Sequence, residues 1–282
     1  MKLLLTFIVL LYARILSAQG GTEIFLLNLK WNNETASVVG EPLNCSNSKG
    51  YDSQPFFEDN NNFLFTSMRN DKTADIYRYK IDSKETISVS QHPDAEYSPK
   101  RGYKKNKISV VKGAEQNITM FNLDGSNPEV IAKHKDSIGY YAYFYNGFLC
   151  FILSKPPTLQ YINEKGIASI LDTLPGRNLY KYKGGVFYEK ELGDENFVIK
   201  YMSSSKKTST VINLPNKVQD FYADAKGMLY CINNNVLLRY NPTSKNNTWL
   251  KVLDFSKMNL QSITRFALSP DKTKLLLVAK ED

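Results

Sequence analysis

The chain holds only two histidines, His92 and His134, standing 42 residues apart. That interval suits a pair of ligands on one face of a repeating structure, and it suits two solvated turn residues as well. No HxH, HExxH or CxxC spacing accompanies them, so the parts of a zinc site are missing, and we read both as turn residues. There is no GxSxG elbow and no glycine-rich phosphate loop, and neither histidine has an obvious serine and acid partner for hydrolase chemistry. Asp52, Glu96 and Asp220 are oxygen donors of the kind hard cations prefer. They leave open one enzyme reading, a metal-assisted, lactonase-like hydrolase with its site at a ring centre. The same three acids are ordinary strand-entry and turn residues, so no catalytic residue, metal or cofactor is expected. Cys45, Cys150 and Cys231 permit either one bridge plus a free thiol or three buried thiols acting as small apolar residues. The second reading is favoured, because the elements described next put them in three different sheets.

Residues 1–18 have the pattern of a secretory leader: Lys2, an apolar run from Leu3 to Leu11 broken only by Thr6, and Ser17-Ala18 before Gln19. The run is shorter than the roughly 20 residues that span a bilayer, and no second long apolar run follows. An exported protein is expected, periplasmic or secreted, with no transmembrane segment in the mature chain. Loss of Lys2 and Arg14 with the leader lowers the formal charge from +8 to +6. The basic segment Lys100 to Lys107, expected as a hairpin between a first and a second strand, is too local for nucleic-acid binding.

Helical periodicity is nearly absent. Short apolar or aromatic runs alternate with turns rich in Gly, Asn, Asp, Lys and Pro, at the spacing of an all-β fold of many strands. Repeats of roughly 40 to 45 residues mark four-stranded propeller blades. Five blades are expected over Asp52 to Gln91, Ala95 to Ala132, Ile138 to Asp172, Asn178 to Leu214 and Val218 to Phe255. A sixth is divided between the chain ends. TEIFLLNL (Thr22 to Leu29) and LLLVAKED (Leu275 to Asp282), set end to start, imitate the continuous stretch FLFTSMRNDKTADIYRYKI (Phe63 to Ile81). The expected fold is therefore an all-β, six-bladed propeller over residues 19–282. N-terminal outer strands would pair with C-terminal inner strands, which removes the open edge that invites aggregation.

Gly50 to Asp82 carries Pro55-Phe56-Phe57, Ser67-Met68-Arg69 and Asp75-Ile76-Tyr77. Tyr97-Ser98-Pro99 repeats the blade entry, and Ser269-Pro270-Asp271-Lys272 supplies a turn with Lys in place of Gly. These segments resemble the TolB-type, WD-like propeller repeat. The resemblance covers the ring only, is sharp in two blades and is faint between Ile138 and Phe255. It implies a six-bladed ring and a bacterial envelope setting. A fold likeness does not carry function with it. The expected working surface is the tunnel mouth where first strands begin, with Asp52, Gln54, Arg69, Tyr97, Ser98, Tyr140, Tyr141 and Arg265, beside Asn178 and Gln219. Tyr and Arg there suit recognition of a protein or peptide of the cell envelope, by a noncatalytic protein expected to be monomeric.

Overall fold

The sequence sets the same burial problem six times. Second and third strands of a blade meet a neighbouring blade on both faces, so they read as nearly continuous apolar runs. Asn62–Ser67, Lys107–Lys112 and Asn117–Asn122 are buried along most of their length. Outer strands keep one solvated face, and Ala168–Thr173 and Thr208–Asn213 are mostly exposed. The computed structural model describes residues 21–69, 73–90 and 92–280, and the expected leader lies outside them. It contains six four-stranded antiparallel sheets. Their innermost strands are Asp52–Phe57, Glu96–Arg101, Ile138–Phe144, Pro175–Tyr182, Phe221–Ala223 and Arg265–Leu268. Residues of all six line one axial cavity. Among the described residues no helix is long and apolar enough to cross a membrane.

The ring closes as the two chain ends foreshadow. Thr22–Asn32 pairs antiparallel with Lys274–Lys280, in register from Thr22↔Lys280 to Asn28↔Lys274. Arg265–Leu268 lies inside that pair and Thr35–Asn44 outside it. The N-terminal strand joins both neighbouring blades. Ile24 and Leu26 pack with Phe63 and Phe65 of the first blade, and Leu27 and Leu29 pack with Tyr230 and Leu237 of the fifth. At roughly 1.5–3 kcal/mol per buried aliphatic side chain, these four contribute up to about 6–12 kcal/mol to closure. Thr22 also donates its N–H to the Gly50 carbonyl at 2.9 Å, at the entry to the first blade.

The first strands are bulged near their starts. In the first blade Gln54 and Pro55 stand opposite Phe65 alone, between the pairs Ser53↔Thr66 and Phe56↔Leu64. The second blade repeats this with Ser98 and Pro99, between Tyr97↔Val111 and Lys100↔Ser109. Gln54 and Ser98 take left-handed φ values of 57° and 53°. Proline suits a bulge, where no ladder N–H is needed. The Gln54 side chain then bridges to the next blade, its Oε1 accepting from Ser98 N there at 2.6 Å and from Thr66 Oγ1 of its own blade at 2.9 Å. The fourth blade begins at Pro175 rather than at Asn178. Its bulge is larger, with Gly176, Arg177 and Asn178 opposite Glu189 alone, and an apolar-run reading misses those polar bulge residues. The three cysteines are buried and unbridged. Burial pushes the Cys45 thiol up to about 12 and raises Cys150 and Cys231 further, so none is a nucleophile.

Candidate functional site

The bulges turn polar side chains toward the ring axis and build a tunnel. On the face where the first strands begin, a mouth of about 240 Å³ is lined by Tyr51, Ser53, Arg177, Thr264, Arg265 and Lys280, among others. Deeper lies a narrower space of about 80 Å³, bordered by Gln54, Ser98, Lys100, Tyr140, Asn178 and Asp220. Arg177 and Arg265 border both.

Arg177 ties three blades together. Its Nε donates to Asp220 Oδ1 at 2.7 Å, its Nη2 to Asp220 Oδ2 at 2.8 Å, and its Nη2 also to the Thr264 carbonyl at 2.7 Å. Burial opposes its charge, but the Asp220 carboxylate outweighs burial and holds the guanidinium ionised. Asn178 sits between two acids, donating its N–H to Glu189 Oε1 at 3.0 Å and its Nδ2 to Asp220 Oδ1 at 2.6 Å. Glu189 is fully buried. Burial, and next the charge of Asp220, push its carboxyl well above the usual range. Gly176 makes room for it, since a Cβ there would stand 1.9 Å from Glu189 Cγ.

Arg265 is placed differently. Its Nη2 donates to Tyr140 Oη at 2.7 Å, and its Cζ lies 5.4 Å from the centre of the same ring. Among the described residues it pairs with no carboxylate. Lys100 lies 5.7 Å over the Tyr141 ring, also without an ion pair among the described residues, and burial lowers it to about 8. Four basic side chains therefore border the tunnel (Lys100, Arg177, Arg265 and Lys280) against one carboxylate, Asp220, among the described residues.

The chain is a six-bladed β-propeller. Solved structures share the fold at low identity. One is the nidogen/laminin complex, with TM-score 0.60 and 12% identity over 84% of this chain and 95% of that one. Another is a candidate gluconolactonase, with TM-score 0.57 and 10% identity over 81% and 88%. A third is a puromycin hydrolase variant, with TM-score 0.55 and 11% identity over 83% of this chain and 47% of that one. No family model matches the chain, and no curated protein sequence matches it significantly. The ring expected from the TolB-type resemblance is thus present, while membership of that family has no match behind it.

The propeller brings together some of the expected mouth residues and separates others. Gln54, Ser98, Tyr140 and Arg265 border the tunnel. Asp52 does not. It is 1% exposed, buried at the closing seam, with neither carboxylate oxygen hydrogen-bonded. Arg69 is tethered beside that seam, donating to the Ser46 carbonyl at 3.0 Å and stacking 4.8 Å from the Tyr77 ring centre. Tyr97 packs against the core between the second and third blades. Tyr141 is buried in that core with its hydroxyl 2.7 Å from Ser109 Oγ, because alternation along its strand turns it opposite to Tyr140. Asn178 is in the tunnel wall, while Gln219 is exposed ahead of the fifth first strand.

Other expectations need correcting. Lys100 is not part of the basic hairpin, because the bulge at Ser98 and Pro99 shifts the alternation and brings it to the tunnel wall. The histidines are not solvated turn residues. The His134 side chain is 6% exposed, and its ring accepts the Asp136 N–H at Nδ1 and bonds Gln160 Oε1 through Nε2 at 3.1 Å. His92 Nε2 is buried against Phe121. The three acids of the hydrolase reading do not converge either. Asp52 faces the seam, Glu96 accepts from Lys112 Nζ at 2.8 Å, and both Asp220 oxygens are held by Arg177. Among the described residues no three His, Cys, Asp or Glu side chains form a metal-binding group. The residues sequence reasoning missed are Tyr51, Arg177, Glu189, Thr264 and Lys280. Glu189 carried a readable signal, being the acid that directly follows the apolar run Val186-Phe187-Tyr188 in the fourth blade's second strand.

Proposed function

We propose that this protein is an exported, noncatalytic interaction propeller that captures a peptide or protein segment of the cell envelope at the tunnel mouth. The observation that carries this is the mouth itself, whose arginines, lysine and tyrosine face an open space of about 240 Å³. Pockets for free small ligands usually hold about 300–1,000 Å³, so the space suits the tip of an inserted segment, with the surrounding loops touching the rest of it. The nidogen/laminin complex supports the reading in one respect, since a propeller of this architecture there meets a protein partner. The leader pattern in residues 1–18 supports export. A metal-assisted hydrolase would require Asp220 to exchange Arg177 for a cation and two further acids to move toward it.

The test is selection of peptides from a random displayed library on the immobilised protein, followed by affinity measurement with a Thr264→Trp variant. Thr264 is exposed at the mouth, so the indole obstructs entry without disturbing the core. Selected peptides should lose at least about tenfold in affinity, or about 1.4 kcal/mol. Equal binding to the variant, or failure to select any peptide, would defeat the proposal.

A further inference from the structure

Among the described residues the tunnel lining carries more positive charge than it neutralises. Arg177 and Asp220 form a bidentate pair, which leaves Arg265 and Lys100 without a carboxylate among the described residues. Their hydrogen-bonding capacity is also unfilled. Among the described residues Arg265 donates one hydrogen bond, from Nη2 to Tyr140 Oη, so its Nε and Nη1 donors remain. Tyr140 accepts that bond, which leaves its own hydroxyl hydrogen free to donate. Arg177 uses Nε and Nη2, and its Nη1 is left over among the described residues. Two guanidiniums that share one narrow space repel each other, and the charge of Arg177 works against that of Arg265. Such an arrangement is stabilised by an anion placed between them, because charge-assisted bonds to carboxylate are stronger than neutral ones and match the planar guanidinium fork.

We propose that the inner tunnel is an oxyanion site in which Arg265, Tyr140, Lys100 and the free edge of Arg177 receive one carboxylate group, the terminal carboxylate of the captured peptide. This rests on the reading of the mouth as a peptide-binding face and names the chemistry of its ligand. Size supports the choice. The inner space of about 80 Å³ takes a carboxylate and little more, and the larger mouth above it takes the last residue or two of a chain. Charge supports it too, since the described mouth lining holds Arg177, Arg265 and Lys280 and no carboxylate. The lowered Lys100 is consistent with a cation whose natural counter-charge arrives with a ligand. The shared chemistry of the site is that of an oxyanion, and a phosphoryl group is the other source that the donors would accept.

The test uses the whole chain with ¹⁵N-labelled arginine. Sodium acetate, inorganic phosphate and sodium chloride are titrated at fixed ionic strength while the Nε–Hε resonance of Arg265, assigned from Arg265→Lys, is followed. Acetate should shift it saturably at about 10 mM or below, chloride should not, and Tyr140→Phe should weaken the acetate response several-fold. Saturation by phosphate alone keeps the oxyanion site and reassigns its source to a phosphoryl group. A response to all three salts alike, or to none, overturns the site. Peptides selected at the mouth provide the second arm. Their binding should fall about ten- to a hundredfold on C-terminal amidation, and likewise with a folded Arg265→Gln variant. If the amides bind as well as the acids, the mouth still captures peptides but the carboxylate inference fails. If acetate saturates Arg265 and no peptide can be selected, the oxyanion site stands and the peptide-capturing function fails.

Discussion

Replacing Asp52 by Asn should stabilise the propeller at neutral and alkaline pH, by an amount that the closing seam dictates. Asp52 is 1% exposed and neither of its oxygens has a hydrogen-bond partner. Burial is the main cause that lifts its carboxyl from 3.8 to about 7; the Ser67 hydroxyl, close by but short of hydrogen-bonding geometry, and the Arg69 charge resist the rise, and the charge of Glu23 adds to it. The folded state therefore holds a proton that the unfolded chain releases near pH 4. Stability contributed by this group is complete below that point. It falls as pH rises toward about 7 and then stays level. The interval from 3.8 to about 7, at about 1.36 kcal/mol per tenfold change in proton activity, makes the loss about 4 kcal/mol as a ceiling. Asparagine keeps the shape and cannot ionise. Urea unfolding followed by tryptophan fluorescence, at about pH 4.5 and about pH 8, should show the variant gaining about 2–4 kcal/mol relative to the parent between the two conditions. A difference between the two proteins that stays constant within about 0.5 kcal/mol across that range would refute the account of a buried, protonated acid at the seam.

Three further outcomes follow from the packing and the charges. Deleting residues 22–45 removes the two outer strands of the closing blade and uncovers Leu275 to Leu277. The truncated chain should lose its cooperative melt by circular dichroism and aggregate on size-exclusion chromatography. Gly176→Ala forces a Cβ against Glu189 and should cost about 1–3 kcal/mol in urea unfolding, with peptide affinity falling as Arg177 is displaced. Asp172 accepts from Lys190, from Lys200 at 2.9 Å and from Tyr188 Oη at 2.7 Å, and these bonds hold its carboxyl below the usual range despite burial. Asp172→Asn should therefore destabilise near neutral pH by about 1–3 kcal/mol. The gap should close as pH falls through and below the ordinary carboxylate range, where the native carboxylate protonates as well.

The ring was legible because its determinants are local and repeated. Runs such as Phe63-Leu64-Phe65 and Ile108-Ser109-Val110-Val111 recur at blade spacing, and the divided sixth blade betrays itself when the two chain ends are read as one strand pair. The tunnel was harder to read. Tyr140 and Arg265 were within reach, since both belong to first strands of recognisable blades. Their contact joins residues 125 apart in sequence, and no periodicity encodes it. Lys100 and Tyr141 were misplaced for a shared reason, which is that face assignments along a strand depend on parity. A bulge at Ser98 and Pro99 reverses it, and Tyr140 and Tyr141 are adjacent residues of which only one can face the axis. Arg177 and Glu189 escaped because the fourth blade departs from the repeat just where its bulge widens.

That departure explains how a repeated fold acquires a site on one side of its axis. In the first and second blades, where the repeat is sharpest, the bulge residues are neutral and complete one another. Gln54 bonds Ser98 N and Thr66, and Ser98 Oγ reaches the Gly139 carbonyl at 3.3 Å. That part of the wall has few donors left for a ligand. In the fourth, fifth and closing blades the corresponding strand entries carry Arg177, Asn178, Asp220 and Arg265, and their charges are not balanced within the wall. A ligand received as proposed would meet satisfied bulge residues in the first and second blades, with Lys100 the one charged exception there, and unfilled donors on the opposite side. The donors are held by backbone that other bonds already anchor, so little ordering is left to oppose binding. A propeller that kept its repeat in all six blades would close equally well and would present no such side.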